Sequence, residues 1–505
     1  MPHSDADLPT QLYSADQCRE LDRIAIEQAG IPGIVLMKRA GRAAYQTLLA
    51  HWPNPSHIEV FCGSGNNAGD GYIVAALAAQ KNVAVRVIQV GDPAKLGGDA
   101  ARAHQFACQA QVEMVRYSTN ITVESGVAVD AMLGTGARGA PRGDYAHAID
   151  TINASGLPVL AIDLPSGLDA DTGHAPGSCI RAAATVTFIG VKRGLLTGRA
   201  PAVVGTLCFD DLGVPDWVYA QIATATVCRL NLPAMRGLLA PRPVDAHKGM
   251  FGHVLVVGGD HGMGGAALMA AEAAARVGSG LVSVGTRGEH CTGFLARRPE
   301  LMVHDVDSAE ALAPLLSRAN VVVLGPGLGQ SDWSRALLKA VLASELPMVI
   351  DADGLNLISE EGPSFLACSK YVLTPHPGEA GRLLGCTTAD IQADRFTAVA
   401  ALRARFGGVV ILKGAGSLIA SGVGEDQDLA LAKVGNPGMA SGGMGDILSG
   451  VLGGLVAQGL SLGDAARLGV TLHGKAADLA AEDGGERGLL ATDLLPHLRN
   501  LANGP

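Results

Sequence analysis

Gly435 to Gly450 reads G-N-P-G-M-A-S-G-G-M-G-D-I-L-S-G, dense in glycine up to Gly445 and then apolar and helix-capable through Leu460, with Asp446 at the junction. Glycines let backbone N–H groups approach an anion, and a helix start adds the positive end of its dipole, so this junction suits a phosphate. Asp446 stands out from that pattern. A carboxylate repels a phosphate unless it serves the chemistry beside it, as a base taking a proton from an attacking hydroxyl. The bland alternative makes Asp446 an ordinary helix N-cap.

Upstream of this junction, strands are expected at 253–257, 281–285, 320–325, 347–351, 371–374, 409–413 and 417–421, with a helix over 266–277. The loops that follow them include Gly258 to Gly265, G-P-G-L-G (325–329), D-A-D-G-L-N (351–356), L-T-P-H-P-G-E (373–379) and K-G-A-G-S (413–417). Each has a bland reading alone; His376, for one, reads most simply as a hydrogen-bonded strand-end histidine. Together they supply a base (Asp446), backbone donors for phosphate (Gly443, Gly445), the basic end of a nucleotide loop (Lys413), and carboxylates for magnesium or its waters (Asp351, Glu379).

The first half shows the same alternation. Helices are expected within 14–50, near 99–109 and near 145–155, and strands at 58–62, 83–90, 127–133 and 159–164, with apolar runs at 185–190 and 205–209 extending the sheet. The loop Gly63 to Gly71 precedes a helix expected at 72–80. Its G-x-G-x-x-A pattern fits a dinucleotide pyrophosphate turn, with Asp92 as a ribose partner, which keeps an ordinary dehydrogenase in view. A plain pyrophosphate turn has no need of Asn66, Asn67 and Asp70 together. Strand ends in a parallel sheet share one edge, so Asn67, Asp130 and Ser166 can offer oxygen atoms to one hard cation; the bland reading of Asp130 and Asp163 is strand-end capping. Lys192, between an apolar strand and Gly194, reads as a surface lysine or an anion contact.

A chain of 505 residues holds at least two domains, and the prolines at 215, 233, 241 and 243 put the boundary near 225–245. Hydrophobic residues at 48% against 17% charged exclude a disordered chain, and a net charge of -10 without a basic cluster argues against nucleic acid. The nine cysteines follow no metal-binding or paired spacing, and neither a signal segment nor a clean membrane span is present, so a soluble cytoplasmic protein is expected. Abundant glycine with few aromatics points to small-residue helix packing and, with the family likeness below, to a homo-oligomer.

Both halves resemble known families. Through K-G-M-F-G-H-V-L-V-V-G-G, G-M-G-G-A-A, G-P-G-L-G, D-A-D-G-L-N, L-T-P-H-P-G-E and G-M-A-S-G-G-M-G-D, residues 247 to 455 are similar to the ADP-dependent NAD(P)H-hydrate dehydratases of the ribokinase-like superfamily. Through G-S-G-N-N-A-G-D-G-Y, D-A-M-L-G-T-G and D-L-P-S-G-L-D, the first half resembles the NAD(P)H-hydrate epimerase domain. The fold implied is two three-layer α/β domains, Rossmann-like over 1–225 and ribokinase-like over 246–505, joined by a linker at 226–245.

The resemblance implies a repair activity on NADHX and NADPHX, the hydrates of reduced nicotinamide nucleotides. The first half interconverts their R and S forms; the second dehydrates the S form using ADP or ATP with Mg2+. It further implies that Asn66, Asn67, Ala68, Gly69 and Asp70, together with Gly134, Thr135, Gly136, Ala137, Arg138, Gly139 and Ala140, hold the hydrate beside Asp163, while Asn67, Asp130 and Ser166 coordinate K+. In the second half Ala266, Gly327, His376 and Asp446 meet the hydrate, and Lys413, Gly414, Ala415, Gly416, Ser417 and Gly445 hold the nucleotide. Asp446 and Asp163 are the expected catalytic residues.

Two positions depart from the family pattern. Ala68 replaces a glycine, which would cost roughly 1 kcal/mol if that residue needs a positive φ, and Ser417 replaces a commoner threonine while keeping its hydroxyl. The competing reading is a small-molecule kinase of the same superfamily fused to a non-catalytic nucleotide-binding domain.

Overall fold

The computed structural model describes residues 8–123, 125–222, 227–363, 366, 370–422 and 428–503. The chain divides into two compact units, Met1–Cys228 and Arg229–Pro505. Residues 223–226, where the sequence puts the end of the first domain and the start of the linker, lie outside the described residues.

The first unit is built on seven parallel strands in the order Glu113–Arg116, Val85–Gln89, Ile58–Cys62, Val127–Ala131, Val159–Ile162, Ala184–Phe188, Thr206–Asp210. Its central strands are buried along their whole length, as expected where helices cover both faces of a parallel sheet. From Ile58–Cys62 the chain builds the sheet outward first one way and then, from Val127–Ala131, the other. The crevice between the carboxyl ends of these two strands is the topological switch point, where open α/β sheets bind ligands. Away from this sheet, Gln11–Tyr13 runs parallel to Val191–Lys192, pairing Tyr13 with Lys192.

The second unit repeats the plan. Seven parallel strands, Met302–Asp305, Leu281–Thr286, His253–Val257, Val321–Leu324, Met348–Ile350, Tyr371–Leu373 and Val409–Leu412, are followed by the antiparallel Ser417–Ser421 and Asp428–Ala432. Its switch point lies between the ends of His253–Val257 and Val321–Leu324, and the loops there bond to each other: Gly259 N–H donates to Pro326 O (3.0 Å) and Asp260 N–H to Gly327 O (2.7 Å). Helix Met444–Ala457 lies against helix Gly264–Arg276 through glycines. A Cβ on Gly450 would sit 2.0 Å from Ala270 O, and one on Gly454 2.8 Å from Ala274 O, so only glycine permits this spacing. The small-residue packing expected from composition is therefore present at this contact.

Strands Glu113–Arg116, Met302–Asp305 and Asp428–Ala432 escaped the sequence reading. Each lies at an edge of its unit's strand order or next to its end, is short, and mixes polar with apolar residues, so it lacks the apolar run that marks a central strand. A second difference concerns the expected loop Gly63 to Gly71. The helix begins at Asn66, not Tyr72, because Gly65 takes an extended N-cap conformation (φ -107°, ψ -168°) and the chain turns helical at once.

Ala68 thus sits in the first helical turn and is absent from the positive-φ residues, so its methyl carries no backbone penalty. Ala68→Gly is expected to lower stability by about 0.5–1 kcal/mol in urea unfolding without raising activity. A gain in activity would mean that the extra methyl hinders the site.

Candidate active sites

In the first unit the switch-point crevice gathers the three loops singled out from the sequence. Asn67, in the first turn of its helix, donates through Nδ2 to Leu133 O (3.3 Å), while its Oδ1 is buried without a hydrogen-bond partner. Gly134 lies against it, with room for a Cβ only 3.3 Å from Asn67 Cβ. Asp130, fully buried, accepts from the Ser166 hydroxyl (2.6 Å) and from the Ser166 and Met132 N–H groups (2.7 and 3.2 Å). The Ser166 hydroxyl in turn accepts from Leu133 N–H (2.9 Å). Burial pushes the Asp130 carboxyl up to about 6, against these hydrogen bonds. The crevice therefore brings Asn67, Asp130 and Ser166 together and leaves one amide oxygen unspent.

Asp163 follows strand Val159–Ile162 in a strained conformation. Its φ is +68°, and Leu164 N–H closes a three-residue turn onto Ile162 O (2.9 Å). Ile189, φ +61°, makes a second such turn through Gly190 N–H to Phe188 O (2.6 Å). Each non-glycine residue held this way costs about 1–3 kcal/mol, and such strain gathers at functional sites. Lys192 lies between the two turns. It is neither a surface lysine nor an open anion contact: it is 3% exposed and donates to Asp163 Oδ1, Thr187 Oγ1 and Phe188 O. Burial alone would push Lys192 down, but the charge and hydrogen bond of Asp163, with Cys18 and Asp22, hold it above its ordinary value. Nearby Asp70 is driven well above the carboxylate range by burial and by the charges of Asp163 and Asp22.

The segment Gly134 to Ala140 forms an exposed rim beyond Ala131, apart from the partly buried Gly134 and Thr135; Thr135 O accepts from Arg19 (3.4 Å) and Arg138 pairs with Asp171 (3.4 Å). Asp92, the ribose partner of the dehydrogenase reading, instead caps Ala94 N–H (3.1 Å) and pairs with Arg116 (3.4 Å).

In the second unit the glycine-rich junction opens helix Met444–Ala457, whose N-cap is Gly443 with φ +91°. Asp446 is thus inside the first turn and is not the N-cap. Below Gly445 lies a buried ion pair: Lys413 Nζ donates to Asp351 Oδ1 (2.6 Å), and a Cβ on Gly445 would sit 3.3 Å from both Asp351 Oδ2 and Lys413 Nζ. Asp351 also accepts from Thr374 Oγ1 (2.7 Å, at Oδ1) and Ser449 Oγ (2.7 Å, at Oδ2). Burial would raise Asp351, yet Lys413 and these hydroxyls hold it below its usual range. Asp446 has no such partner among the described residues. Burial first, then the Asp351 charge and that of Asp353, push it up to about 7, with Lys413 opposing.

The remaining candidates converge on the same place. A Cβ on Gly327 would touch Ala266 Cβ at 3.1 Å, and Gly329 N–H donates to Asp353 Oδ2 (2.9 Å), whose charge acts on Asp446. His376 caps helix Pro377–Leu384, its Nδ1 accepting from Gly378 and Glu379 N–H (2.9 and 3.4 Å), which puts the ring proton on Nε2. Lys413 acts electrostatically on both His376 and Glu379, the latter lying 3.8 Å from its Nζ.

Sequence reasoning missed Arg395, which lies under the 413–417 loop. This 1% exposed guanidinium donates to the carbonyls of Leu412, Lys413 and Gly416 (each 3.3 Å), and Gly414, φ +136°, rests on it with room for a Cβ only 2.9 Å from Nη1. Arg395 thus holds three carbonyls of the loop and its flank from below, while Lys413 N–H is tied to Pro375 O (2.9 Å). Ser417 Oγ ties the loop by donating to Gly414 O (3.1 Å), a bond the departure from threonine preserves. Arg395 belongs to no motif, and only proximity in space reveals it.

A family model described as NAD(P)H-hydrate dehydratase matches residues 254–500, and one described as YjeF-related protein N-terminus matches residues 33–194. The chain is 51% identical over 495 residues to the bifunctional NAD(P)H-hydrate repair enzyme Nnr of Coxiella burnetii, covering 98% of this chain and 100% of that one. To its namesake in Escherichia coli it is 43% identical over 505 residues, covering 100% and 96%. Among solved structures, the ADP/ATP-dependent NAD(P)H-hydrate dehydratase of Bacillus subtilis, co-crystallised with ATP and Mg2+, is 27% identical with a TM-score of 0.47, covering 54% of this chain and 96% of that one.

Breaking a buried pair strands its partner's charge, so Lys413→Met is expected to destabilise the protein by about 3–5 kcal/mol in urea unfolding. Adding Asp351→Asn should recover at least half of that loss. A single variant as stable as the wild type, or no recovery in the double variant, would show that the pair does not hold this region.

Proposed function

The chain belongs to the bifunctional NAD(P)H-hydrate repair enzymes, an epimerase in its first half and a dehydratase in its second, and we propose which of its residues carry the two reactions. One observation supports the dehydratase reading above all. Asp446, a carboxylate pushed up to about 7, stands in the first turn of a helix whose glycine start lies over Lys413. A base near neutrality beside an anion-binding helix start suits activation of a hydroxyl for attack on phosphorus.

The S hydrate of NADH or NADPH packs on the Ala266–Gly327 contact with its hydroxyl toward Asp446, and His376, whose Nε2 lies 3.5 Å from Glu379 Oε1, borders it. ADP lies over the 413–417 loop with its terminal phosphate at the Gly443 to Gly445 helix start. Asp446 takes the hydroxyl proton as that oxygen bonds the terminal phosphorus and AMP leaves with the bonding electrons. The ring nitrogen lone pair then expels phosphate, and loss of the neighbouring ring proton restores the nicotinamide. The products are NAD(P)H, AMP and phosphate. ATP would serve by the same steps, its terminal phosphate transferred and ADP released.

Magnesium fits Asp351 poorly, and of the other expected carboxylate, Glu379, one oxygen accepts from His376 N–H (2.8 Å). Both oxygens of Asp351 are engaged by Lys413, Thr374 and Ser449, so no step above depends on a metal held there.

In the first unit, Asp163 handles the proton during opening or iminium formation at the hydrated carbon, with the nucleotide held by the helix start at Asn66 to Asp70 and by the Gly134 to Ala140 rim. Potassium fits: the unspent Asn67 Oδ1, with Asp130 and Ser166 beside it, is an oxygen set for a hard cation. Such an ion would supply positive charge next to a bound diphosphate.

Three outcomes test these assignments. With ADP, Mg2+ and K+ present, the full chain should return a mixed-epimer hydrate completely to reduced nicotinamide, read by absorbance; recovery that stops once the S form is consumed would remove the epimerase role. For dehydration, kcat/KM should fall on the acid side with a midpoint near pH 7, because Asp446 must be ionised to act, and Asp446→Asn should lower the rate by about 10² to 10⁴. An acid limb that persists in that variant would assign it to another group. Asn67→Leu should abolish K+ stimulation of epimerisation, and stimulation that survives would put the ion elsewhere.

A further inference from the structure

Lys192 is the one buried ammonium of the first unit that the reaction scheme leaves unused, and its surroundings are built. Its three donors meet three acceptors: Asp163 Oδ1, Thr187 Oγ1 (3.1 Å) and Phe188 O (3.1 Å). Thr187 Oγ1 also donates to Asp163 Oδ1 (3.2 Å). Oδ2 of Asp163 accepts no hydrogen bond from the described residues, and the side chain is 15% exposed. One carboxylate oxygen is therefore clamped and the other faces the crevice.

The backbone serves the same contact. The reversed turns at Asp163 and Ile189 end adjacent strands and bring their side-chain bearing segments toward each other. Strand Gln11–Tyr13, paired to Lys192 from its other side, fixes where the lysine backbone lies. Helix Ala15–Glu27 contributes Cys18 and Asp22, and helix Asn66–Gln80 contributes Asp70, so three carboxylates share this one buried cation.

We propose that Lys192 is the positioning residue of the epimerase: its ammonium, saturated by protein acceptors, clamps Asp163 Oδ1 and so presents Oδ2 as the oxygen that exchanges the proton with the hydrate. This rests on Asp163 being the proton-transfer group. Because all three donors are spent within the protein, Lys192 makes no bond to substrate. Its loss should then change turnover and not binding. An ammonium is required, because a neutral side chain of equal length leaves Asp163, Asp22 and Asp70 facing one another without a cation.

The test uses the full chain with mixed hydrate and follows the R form after the S form has been consumed. Lys192→Met is expected to lower epimerase kcat at least 100-fold, with the KM for the hydrate within threefold of wild type and ADP-dependent dehydration unchanged. Lys192→Ala should be equally slow and regain at least tenfold with propylammonium, but not with tetramethylammonium at the same ionic strength, a recovery that a merely structural role would not give. A Lys192→Met enzyme with near-normal kcat, a raised KM at unchanged kcat, or a Lys192→Ala enzyme indifferent to propylammonium would each overturn the proposal. Asp163→Asn separates the two levels: if it retains epimerisation, the Asp163 reading falls; if it is inactive while Lys192→Met is normal, only the Lys192 role falls.

Discussion

A carboxylate that stays fully ionised out of water needs a cation beside its hydrogen-bond donors, and both halves of this chain meet that requirement with the same device. In the first unit Asp163 Oδ1 receives Lys192 and Thr187; in the second Asp351 Oδ1 receives Lys413 and Thr374. The aspartate follows one strand, the threonine belongs to the next strand or directly follows it, and the lysine comes later in sequence, Lys413 just after strand Val409–Leu412 and Lys192 in the separate short strand Val191–Lys192. Parallel sheets make this possible, because every strand delivers its carboxyl end to one side. What differs is the second oxygen. Asp351 Oδ2 takes Ser449 Oγ at 2.7 Å and the residue is 1% exposed, whereas Asp163 Oδ2 has no such partner and its side chain reaches the crevice. The same pairing thus leaves both aspartate oxygens engaged in one unit and one of them open to the crevice in the other, the difference being one serine on a neighbouring helix.

Much of this was legible in the sequence because the chemistry sits at strand ends. Apolar runs closed by glycine, aspartate or lysine marked the central strands, and Ile58–Cys62, His253–Val257 and Ser417–Ser421 lie where the runs put them. The loops that follow gave the candidate residues of both sites. What sequence could not supply was the direction of side chains. Lys192 read as a surface lysine or an anion contact and Lys413 as the basic end of a nucleotide loop, yet both turn inward to an aspartate. Arg395 carries no motif at all, because its partners are carbonyls, which any residue provides. The helix start at Asn66 was hidden for a related reason: Asn-Asn-Ala-Gly-Asp has the composition of a turn, and the cap comes from the backbone of Gly65.

Glycine serves two separable purposes at the second site. Gly443 and Gly414 take positive φ values, +91° and +136°, that shape the helix start and the 413–417 turn. Gly450 and Gly454 are helical, and their role is to let Met444–Ala457 settle onto the carbonyls of Ala270 and Ala274. The second pair sets the position of Gly443, which opens the same helix. A helix pushed outward by even one methyl would carry Gly443, Gly445 and Asp446 away from Ala266, which rides on the helix it touches.

The Asp351–Lys413 pair also bears on the Asp446 carboxyl it lies beside. Seen from far away, an ion pair is a dipole whose effects nearly cancel; Asp446 is close enough that they do not. Asp351 raises it more than Lys413 lowers it, and burial acts in the same direction as Asp351. The outcome is a carboxylate that is ionised in a good share of molecules at neutral pH yet basic enough to hold a proton once it has one. A freely solvated aspartate, in the ordinary carboxylate range, would be too weak a base for a hydroxyl; one buried without Lys413 nearby would stay protonated. The contact that anchors the helix therefore also sets how strongly its aspartate attracts a proton, so the position of the base and its basicity are not independently adjustable.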